Sequence, residues 1–194
     1  MSAVELAEWE ARYRAADLET AAPEPFVVEA AAALPVGGKA IDLAGGTGRH
    51  ALWLAGRGWD TTLVDISPTA LAVAAAAALR LGLGVATEVV DLDAADPSGG
   101  PWDLVVIHHY LNRPLLGRLH HMMRPGGAVV VCHQTRLNLE RHPRPGARHL
   151  LAPGELEELL SRFELAAYLE GWTPQGRHEA RAIGRRTEES GAVL

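Results

Sequence analysis

The sequence has a single cysteine, Cys132, which lies in the apolar run Ala128 to Cys132. One cysteine excludes an intramolecular disulfide framework and a zinc cluster built from several thiolates. A cysteine without such a role is usually buried and packs as a small hydrophobic side chain. We therefore expect Cys132 to belong to the core.

Positive charge is also scarce. The 194 residues include 18 Lys and Arg against 24 Asp and Glu, which gives a formal net charge of −6. Binding to DNA or RNA depends on a surplus of basic side chains that neutralise phosphates. The composition therefore disfavours nucleic acid as the main partner.

Long hydrophobic runs are missing as well. No stretch approaches the ~18 consecutive apolar residues that a membrane-spanning helix needs. Residues Met1 to Glu10 are acidic and amphipathic, whereas a signal peptide is basic and then continuously apolar. We expect neither a membrane span nor a secretory signal, and we predict a cytoplasmic protein.

The sequence does contain an alternation of short β-like runs with longer helical ones from Lys39 onward. This alternation predicts βαβ units and an α/β fold, a doubly wound, mostly parallel sheet with helices on both faces. An apolar content of 48% suits one packed domain. Within the domain 1–194 we distinguish an N-terminal helical segment (1–38), a core (39–134) and a final part (135–194) with a long loop, a helix and a closing strand pair.

Individual elements follow from periodicity and from turn residues. Strands are predicted at Ala40–Ala44, Thr61–Val64, Val85–Val90, Asp103–His108, Ala128–His133, Leu165–Glu170 and His178–Arg185. Helices are predicted at Val4–Ala15, Ala51–Ala55, Pro68 to about Leu81 with Ser67 as N-cap, Pro114–Met123 and Pro153–Phe163.

A glycine-rich turn is the most informative segment. The first predicted strand leads into Gly45, Gly46 and Gly48, and a helix follows. Glycines at a strand-to-helix turn let the backbone approach a ligand that larger residues would push away. We expect a small molecule to lie across this turn, the alternative being a tight turn with no ligand.

Acidic residues follow the next two predicted strands. Asp65 follows the glycines at the sequence spacing at which a carboxylate can accept both hydroxyls of a ribose. A helix-capping role is its alternative, but Ser67 already fills that position. Asp91 would lie beside the adenine end of the same crevice. Asp93 competes for that place, and a solvated loop acid is the alternative for both.

Two cofactors fit this spacing. Gly46, Gly48 and Ala51 satisfy the G-x-G-x-x-A form of a dinucleotide fingerprint, so an NAD-dependent oxidoreductase is one possibility. Asp42, however, ends the first strand, and its negative charge would face a pyrophosphate. The ammonium and sulfonium groups of S-adenosylmethionine would instead be attracted to it. The charge pattern favours the methyl donor.

At these residues a family resemblance is visible. The segment from Ile41 to Ala55 resembles the first motif of Rossmann-like (class I) S-adenosylmethionine-dependent methyltransferases, particularly the tellurite and thiopurine methyltransferases. The similarity covers roughly Lys39 to His133, and the later segments that carry it are Val64–Ser67, Asp91-Leu92, Trp102–Val106 and Leu119–Gly127. Ala44 departs from the family, which commonly has a glycine there and thus more space beside the methionine tail.

The resemblance implies a sheet of about seven strands with an antiparallel last strand, and S-adenosylmethionine as cofactor. It implies that Asp65 binds the ribose, that Asp91 and Leu92 lie near the adenine, and that the backbone from Ala44 to Gly48 surrounds the methionine portion. The cofactor-binding residues expected in this way are Asp42, Ala44, Gly45, Gly46, Gly48, Arg49, Asp65, Ile66, Asp91, Leu92 and His108.

The resemblance also implies that the segment His108 to Pro114 faces the transferred methyl group. Because the protein is compact and carries no recognisable substrate motif, we expect a small molecule as acceptor. The candidate catalytic residues in this segment are His109, Tyr110 and Arg113. A base is optional because the sulfonium is already a strong electrophile, and these side chains could equally serve only for packing. A binding protein without catalysis is a further alternative.

We predict no metal site. The histidine pairs His108-His109 and His120-His121 are adjacent in sequence, and adjacent side chains on a strand or a helix are expected to diverge.

Two other segments have open roles. The stretch Thr135 to Leu151 has no clear period and is predicted to be a long loop. Its arginines form either a lid for an anionic acceptor or a solvated surface. Trp9 and Tyr13, one helical turn apart, either close over the cofactor or pack in the core.

Overall fold

The computed structural model describes residues 3–15, 21–35 and 37–187. The helices are α1 (Ala3–Ala15), α2 (Pro25–Ala32), α3 (Arg49–Gly56), α4 (Pro68–Leu81), α5 (Arg113–Met122) and α6 (Glu155–Leu159). The strands are β1 (Lys39–Leu43), β2 (Asp60–Asp65), β3 (Val85–Val89), β4 (Trp102–His108), β5 (Met123–Gln134), β6 (Phe163–Trp172) and β7 (His178–Arg186).

The seven strands form one sheet in the order β3-β2-β1-β4-β5-β7-β6. Strand β2 runs parallel to both β1 and β3, and Leu43 lies opposite Val64. Strand β7 is antiparallel to both β5 and β6. The predicted fold class, a mostly parallel Rossmann-like sheet closed by an antiparallel strand, is confirmed.

The chain divides into two compact units, Met1–Val106 and Ile107–Leu194. In the first unit, the buried side of α4 consists largely of alanines, which lets the helix approach the sheet closely. Ala74 packs with Ala51, Leu63 and Leu71 in one fully buried cluster. The alanine-rich sequence thus positions α3 and α4 beside the glycine turn.

Helix α4 begins where the sequence predicted. Ser67 is its N-cap and accepts a hydrogen bond from the Ala70 N–H, and Pro68 follows as the first helical residue. Proline suits this position because the first N–H of a helix has no partner within the helix. The start of α4 therefore fixes the chain immediately after Asp65.

The second unit is built on β5, β6 and β7. Strand β5 contributes a run of buried residues from Gly127 to His133, paired with β7. Helix α5 is capped by Asn112, whose side chain accepts from the Leu115 N–H at 2.8 Å. Leu115 is itself fully buried, so the cap lies next to the core.

Some predicted boundaries are wrong. The helix predicted at Pro153–Phe163 is only the short α6, because Phe163 already begins β6 and pairs with Arg186. Strand β5 begins at Met123, five residues before the predicted start at Ala128. The predicted loop Thr135–Leu151 contains two 3₁₀ helices, at Arg136–Glu140 and Ala147–His149.

Among the residues that the structure describes, no helix is both long enough and apolar enough to cross a membrane.

Candidate functional site

The turn after β1 has an unusual backbone. Ala44, Gly46 and Gly48 all have positive φ angles, 53°, 59° and 82°. Glycine adopts such angles without strain, whereas an L-residue is disfavoured by roughly 1–2 kcal/mol. The departure from the family at Ala44 therefore places an alanine where the backbone favours glycine.

Gly45 is required for a different reason, which is space. A Cβ on this residue would lie 2.5 Å from the Asp42 Oδ2 and 2.5 Å from the Leu63 Cδ1. Gly48 is similarly crowded, since a Cβ there would lie 3.0 Å from side-chain atoms of Ala74 and Leu63. The turn is therefore packed directly against the end of β1 and against α4.

Asp42 is fully buried beneath this turn. Its Oδ2 accepts a hydrogen bond from the Ala51 N–H at 3.2 Å and lies 3.9 Å from the His50 Nδ1. Its Oδ1 is buried and has no hydrogen-bond partner in the part of the chain that the structure describes. A buried acceptor without a donor costs free energy, so Asp42 is suited to a ligand that brings an N–H group.

Asp65 connects the glycine turn to the end of β2. Its Oδ2 accepts from the Gly46 N–H at 2.8 Å, and its Oδ1 accepts from the Ser67 N–H at 2.9 Å. Burial raises the pKa of Asp65, although these backbone hydrogen bonds act to lower it. Each carboxylate oxygen has a second acceptor position, so both oxygens can still receive a hydroxyl.

Helix α1 contacts the same turn. The Tyr13 hydroxyl lies 2.7 Å from the position that a Cβ on Gly46 would take. Trp9 stacks on Tyr13 with ring centroids 5.9 Å apart and is 40% exposed. The structure thus places Tyr13 over the glycine turn and leaves Trp9 at the surface.

A contact that the sequence did not reveal anchors α1. The Glu10 carboxylate accepts hydrogen bonds from the Ser67 and Thr69 hydroxyls, and from the Thr69 N–H at 3.3 Å. Glu10 therefore binds the first turn of α4, where a negative charge is favoured by the helix dipole. No local pattern signals this contact, because 57 residues separate Glu10 from Ser67.

The remaining residues predicted for the cofactor have varied surroundings. Arg49 pairs with Glu24 at 3.3 Å, at the start of α2. Asp91 accepts from the Asp93 N–H at 3.0 Å, so the two competing acids form one local turn. Of the predicted pair near the adenine, Leu92 is buried and Asp91 is partly exposed. Ile66 is partly exposed.

His109, in the second unit, has a positive φ of 58°. Its backbone N–H donates to the Cys132 backbone carbonyl at 2.8 Å, and its ring Nε2 lies 3.0 Å from the Glu179 Oε1. Glu179 is 6% exposed and also receives two hydrogen bonds from Arg181. Burial raises the pKa of Glu179, but the contacts with His109 and Arg181 outweigh it and lower the pKa to about 2.

Sequence reasoning missed Glu179. It is 70 residues from His109 in the chain, and the contact depends on the register between β5 and β7, in which Cys132 pairs with Arg181. The one available signal was that Glu179 and Arg181 are two residues apart on a predicted strand and so share a face.

The expectation that adjacent histidines diverge is wrong for both pairs. The His108 and His109 ring centroids are 3.9 Å apart, as are those of His120 and His121. For the first pair the reason is the backbone, because β4 ends at His108 and the left-handed conformation of His109 interrupts the alternation of a strand.

Arg113 and Tyr110, both predicted to be catalytic, have contacts within the second unit. The Arg113 guanidinium binds the Glu155 carboxylate and donates to the Leu150 carbonyl at 3.1 Å. These contacts attach the start of α5 to α6 and to the chain before it. The Tyr110 hydroxyl accepts from the Asn112 side chain at 3.4 Å.

The arginine-rich segment has a mixed environment. Arg141 lies over the Trp172 ring at 3.7 Å from its centroid, in a cation–π contact. Arg136, Arg144 and Arg148 are exposed. Packing thus accounts for Arg141, whereas both alternatives for the other three arginines, a lid and a solvated surface, stay predictions.

Comparison with known proteins shows a match to a family model over part of the chain. Residues 40–127 match the model of the methyltransferase domain. No curated protein sequence matches the chain significantly.

Solved structures share the fold. TehB from Haemophilus influenzae has a TM-score of 0.74 and 22% identity over 92% of this chain and 67% of its own. A structure from work on the conversion of a disulfide bond into a thioacetal group during echinomycin biosynthesis has a TM-score of 0.72 and 24% identity, over 94% and 92%.

A third similar structure contains bound S-adenosylhomocysteine. The Burkholderia thailandensis 1,6-didemethyltoxoflavin-N1-methyltransferase, with bound 1,6-didemethyltoxoflavin and S-adenosylhomocysteine, has a TM-score of 0.69 and 20% identity over 95% of this chain and 87% of its own. The domain match over residues 40–127 and the shared fold support the resemblance to Rossmann-like (class I) S-adenosylmethionine-dependent methyltransferases.

Proposed function

We propose that this protein transfers the methyl group of S-adenosylmethionine to a small-molecule acceptor by in-line displacement. One observation carries the proposal: the buried Asp42 Oδ1 has no donor among the described residues, and Asp42 lies beside a glycine turn. An ammonium group, such as that of the methionyl part of the cofactor, would supply the missing donor and balance the charge.

The cofactor would be held by the turn and the strand ends of the first unit. Asp42 would bind the ammonium, and the backbone from Ala44 to Gly48 would line the methionine portion. Asp65 would accept the ribose hydroxyls, each on the free acceptor position of an oxygen that already binds a backbone N–H. Asp91 and Leu92 would contact the adenine, and Tyr13 would cover the turn.

The existing contacts of Asp65 support this assignment. They fix the carboxylate in one orientation before a ligand arrives, so little side-chain entropy is lost on binding. They also connect Gly46 and Ser67, so the glycine turn and the start of α4 are positioned by the same group.

S-adenosylmethionine supplies an activated methyl group on a positively charged sulfur. The protein's part in such a displacement is to align the acceptor and to exclude water, and no strong base is required. We propose that the segment after β4, with His109 and Tyr110, contacts the acceptor. Arg113, held by Glu155, would act as a structural anchor for this segment.

The test is a transfer assay with methyl-deuterated S-adenosylmethionine and a panel of small thiols, amines, phenols and oxyanions, read by mass spectrometry. We expect a deuteromethyl product and an equal amount of S-adenosylhomocysteine for at least one class. Cofactor binding without transfer to any class would indicate a binding protein without catalysis and would contradict the proposal.

A further inference from the structure

The second unit contains a cluster of metal-binding side chains. His108, His109 and Cys132 each offer one nitrogen or sulfur atom, and these three atoms lie within 4.8 Å of one another. The backbone creates this arrangement, because the His109 N–H donates to the Cys132 carbonyl and its φ of 58° turns its ring next to that of His108.

We propose that His108, His109 and Cys132 bind a zinc ion. Two imidazoles and a thiolate form a donor set that Zn²⁺ accepts, and three protein ligands leave the fourth tetrahedral position to water or another small ligand. The two histidines are partly exposed, so an ion can reach the cluster from solvent, whereas Cys132 forms its buried end.

The neighbouring charges support a cation at this place. The Glu179 carboxylate lies 3.0 Å from the His109 Nε2 and 3.4 Å from the Cys132 Sγ. A carboxylate hydrogen-bonded to a histidine ligand fixes the ring and raises its basicity, which is a common feature of zinc sites. Glu179 is thus placed to orient His109.

Arg181 is a positive group beside the cluster, and Glu179 neutralises it through two hydrogen bonds. Zinc binding would displace the thiol proton of Cys132, because the thiolate is the form that binds metal.

This inference shares His109 with the proposed methyl transfer, but the two proposals are tested separately. Metal binding can be measured without cofactor or acceptor, so its failure leaves the methyltransferase proposal intact. Failure of methyl transfer would likewise leave the metal site intact.

The experiment is a Co²⁺ titration of the full, tag-free, chelator-treated protein, followed by calorimetry with Zn²⁺. Because the chain has one cysteine, a thiolate-to-cobalt charge-transfer band can come only from Cys132. We expect that band at one ion per chain, displacement of cobalt by zinc, and loss of the band in Cys132→Ser. Removing a hydrogen-bond partner of a metal ligand typically lowers metal affinity by about tenfold or more, and removing the ligand itself lowers it further. His109→Gln should therefore weaken Zn²⁺ binding by at least about tenfold.

The matched control is His121→Gln, from the second histidine pair with the same 3.9 Å ring separation. It should leave the band and the zinc affinity unchanged. Absence of the band in the wild-type protein overturns the proposal, and this result does not depend on whether any variant folds. Zinc binding that survives in Cys132→Ser, or that is lost in His121→Gln, overturns it as well.

Discussion

The Asp65 carboxylate accepts a hydrogen bond from the Gly46 N–H at 2.8 Å, which connects the end of β2 to the glycine turn that follows β1. The same carboxylate binds the Ser67 N–H and so also holds the first residues before α4. One side chain therefore fixes two neighbouring strand ends, and its role in the fold and its proposed role in binding are coupled.

Asp65→Asn should weaken S-adenosylmethionine binding by about ten- to a hundredfold, the equivalent of roughly 1.5–3 kcal/mol for lost charge-assisted hydrogen bonds. It should also lower the free energy of unfolding, because the amide keeps only one acceptor oxygen for two backbone donors. Calorimetry and urea unfolding measure the two effects separately.

The control is Asp60→Asn, at the exposed opposite end of the same strand. It should change neither quantity. Unchanged cofactor affinity in a folded Asp65→Asn protein would contradict the ribose assignment.

Gly45→Ala should destabilise the protein and abolish cofactor binding, because the new Cβ would lie 2.5 Å from the Asp42 Oδ2. Overpacking of this kind typically costs about 1–3 kcal/mol. Thermal unfolding with and without S-adenosylmethionine is the measurement.

Gly84→Ala is its control, since a Cβ at that position has nothing within 4 Å and no positive φ to adopt. Equal stability and an equal ligand response in the two variants would contradict a steric requirement for glycine at position 45.

Glu10→Ala should release α1 from α4, because it removes the acceptor of the Ser67 and Thr69 hydroxyls. Hydrogen exchange in α1 should then accelerate. Glu8→Ala on the same helix, where Glu8 is exposed, should leave the exchange rates as they are. Unchanged protection of α1 in Glu10→Ala would show that the Glu10 contact is not what anchors the helix.

The pH dependence of stability should reflect His133. Burial lowers its pKa from 6.5 to about 4, so the unfolded state binds a proton at a higher pH than the folded state does. The stability gained from the neutral ring is fully present above pH 6.5 and is lost as the pH falls toward 4. The loss should be about 2 kcal/mol at pH 5, rising to about 3 kcal/mol below pH 4.

Urea unfolding at pH 7 and pH 5, in the presence of a chelator, tests this prediction. His133→Gln should flatten the difference between the two pH values, whereas the exposed-site variant His121→Gln should retain it. An equally steep loss of stability in His133→Gln would assign the pH dependence to other groups.

Much of the fold could be predicted because its signals are local. The alternation of apolar runs predicted the seven strands. Ser67 and Pro68 predicted the start of α4, because helix capping depends on only a few neighbouring residues. The glycine turn could be recognised because each of its glycines meets a steric requirement at its own position.

Contacts between distant segments could not be predicted. Glu10 with Ser67 and His109 with Glu179 depend on helix docking and strand register, which periodicity does not determine. The proximity of His108 and His109 was missed because the sequence gives no sign that the backbone turns left-handed at His109.

The most direct test of the central claim is isothermal calorimetry of the whole chain with S-adenosylmethionine, S-adenosylhomocysteine and NAD, repeated with Asp42→Asn and the Asp60→Asn control. We predict that the first two ligands bind and NAD does not, and that Asp42→Asn weakens both by about tenfold or more through loss of a charged hydrogen bond. Binding of NAD alone, or full affinity in a folded Asp42→Asn protein, would contradict the account.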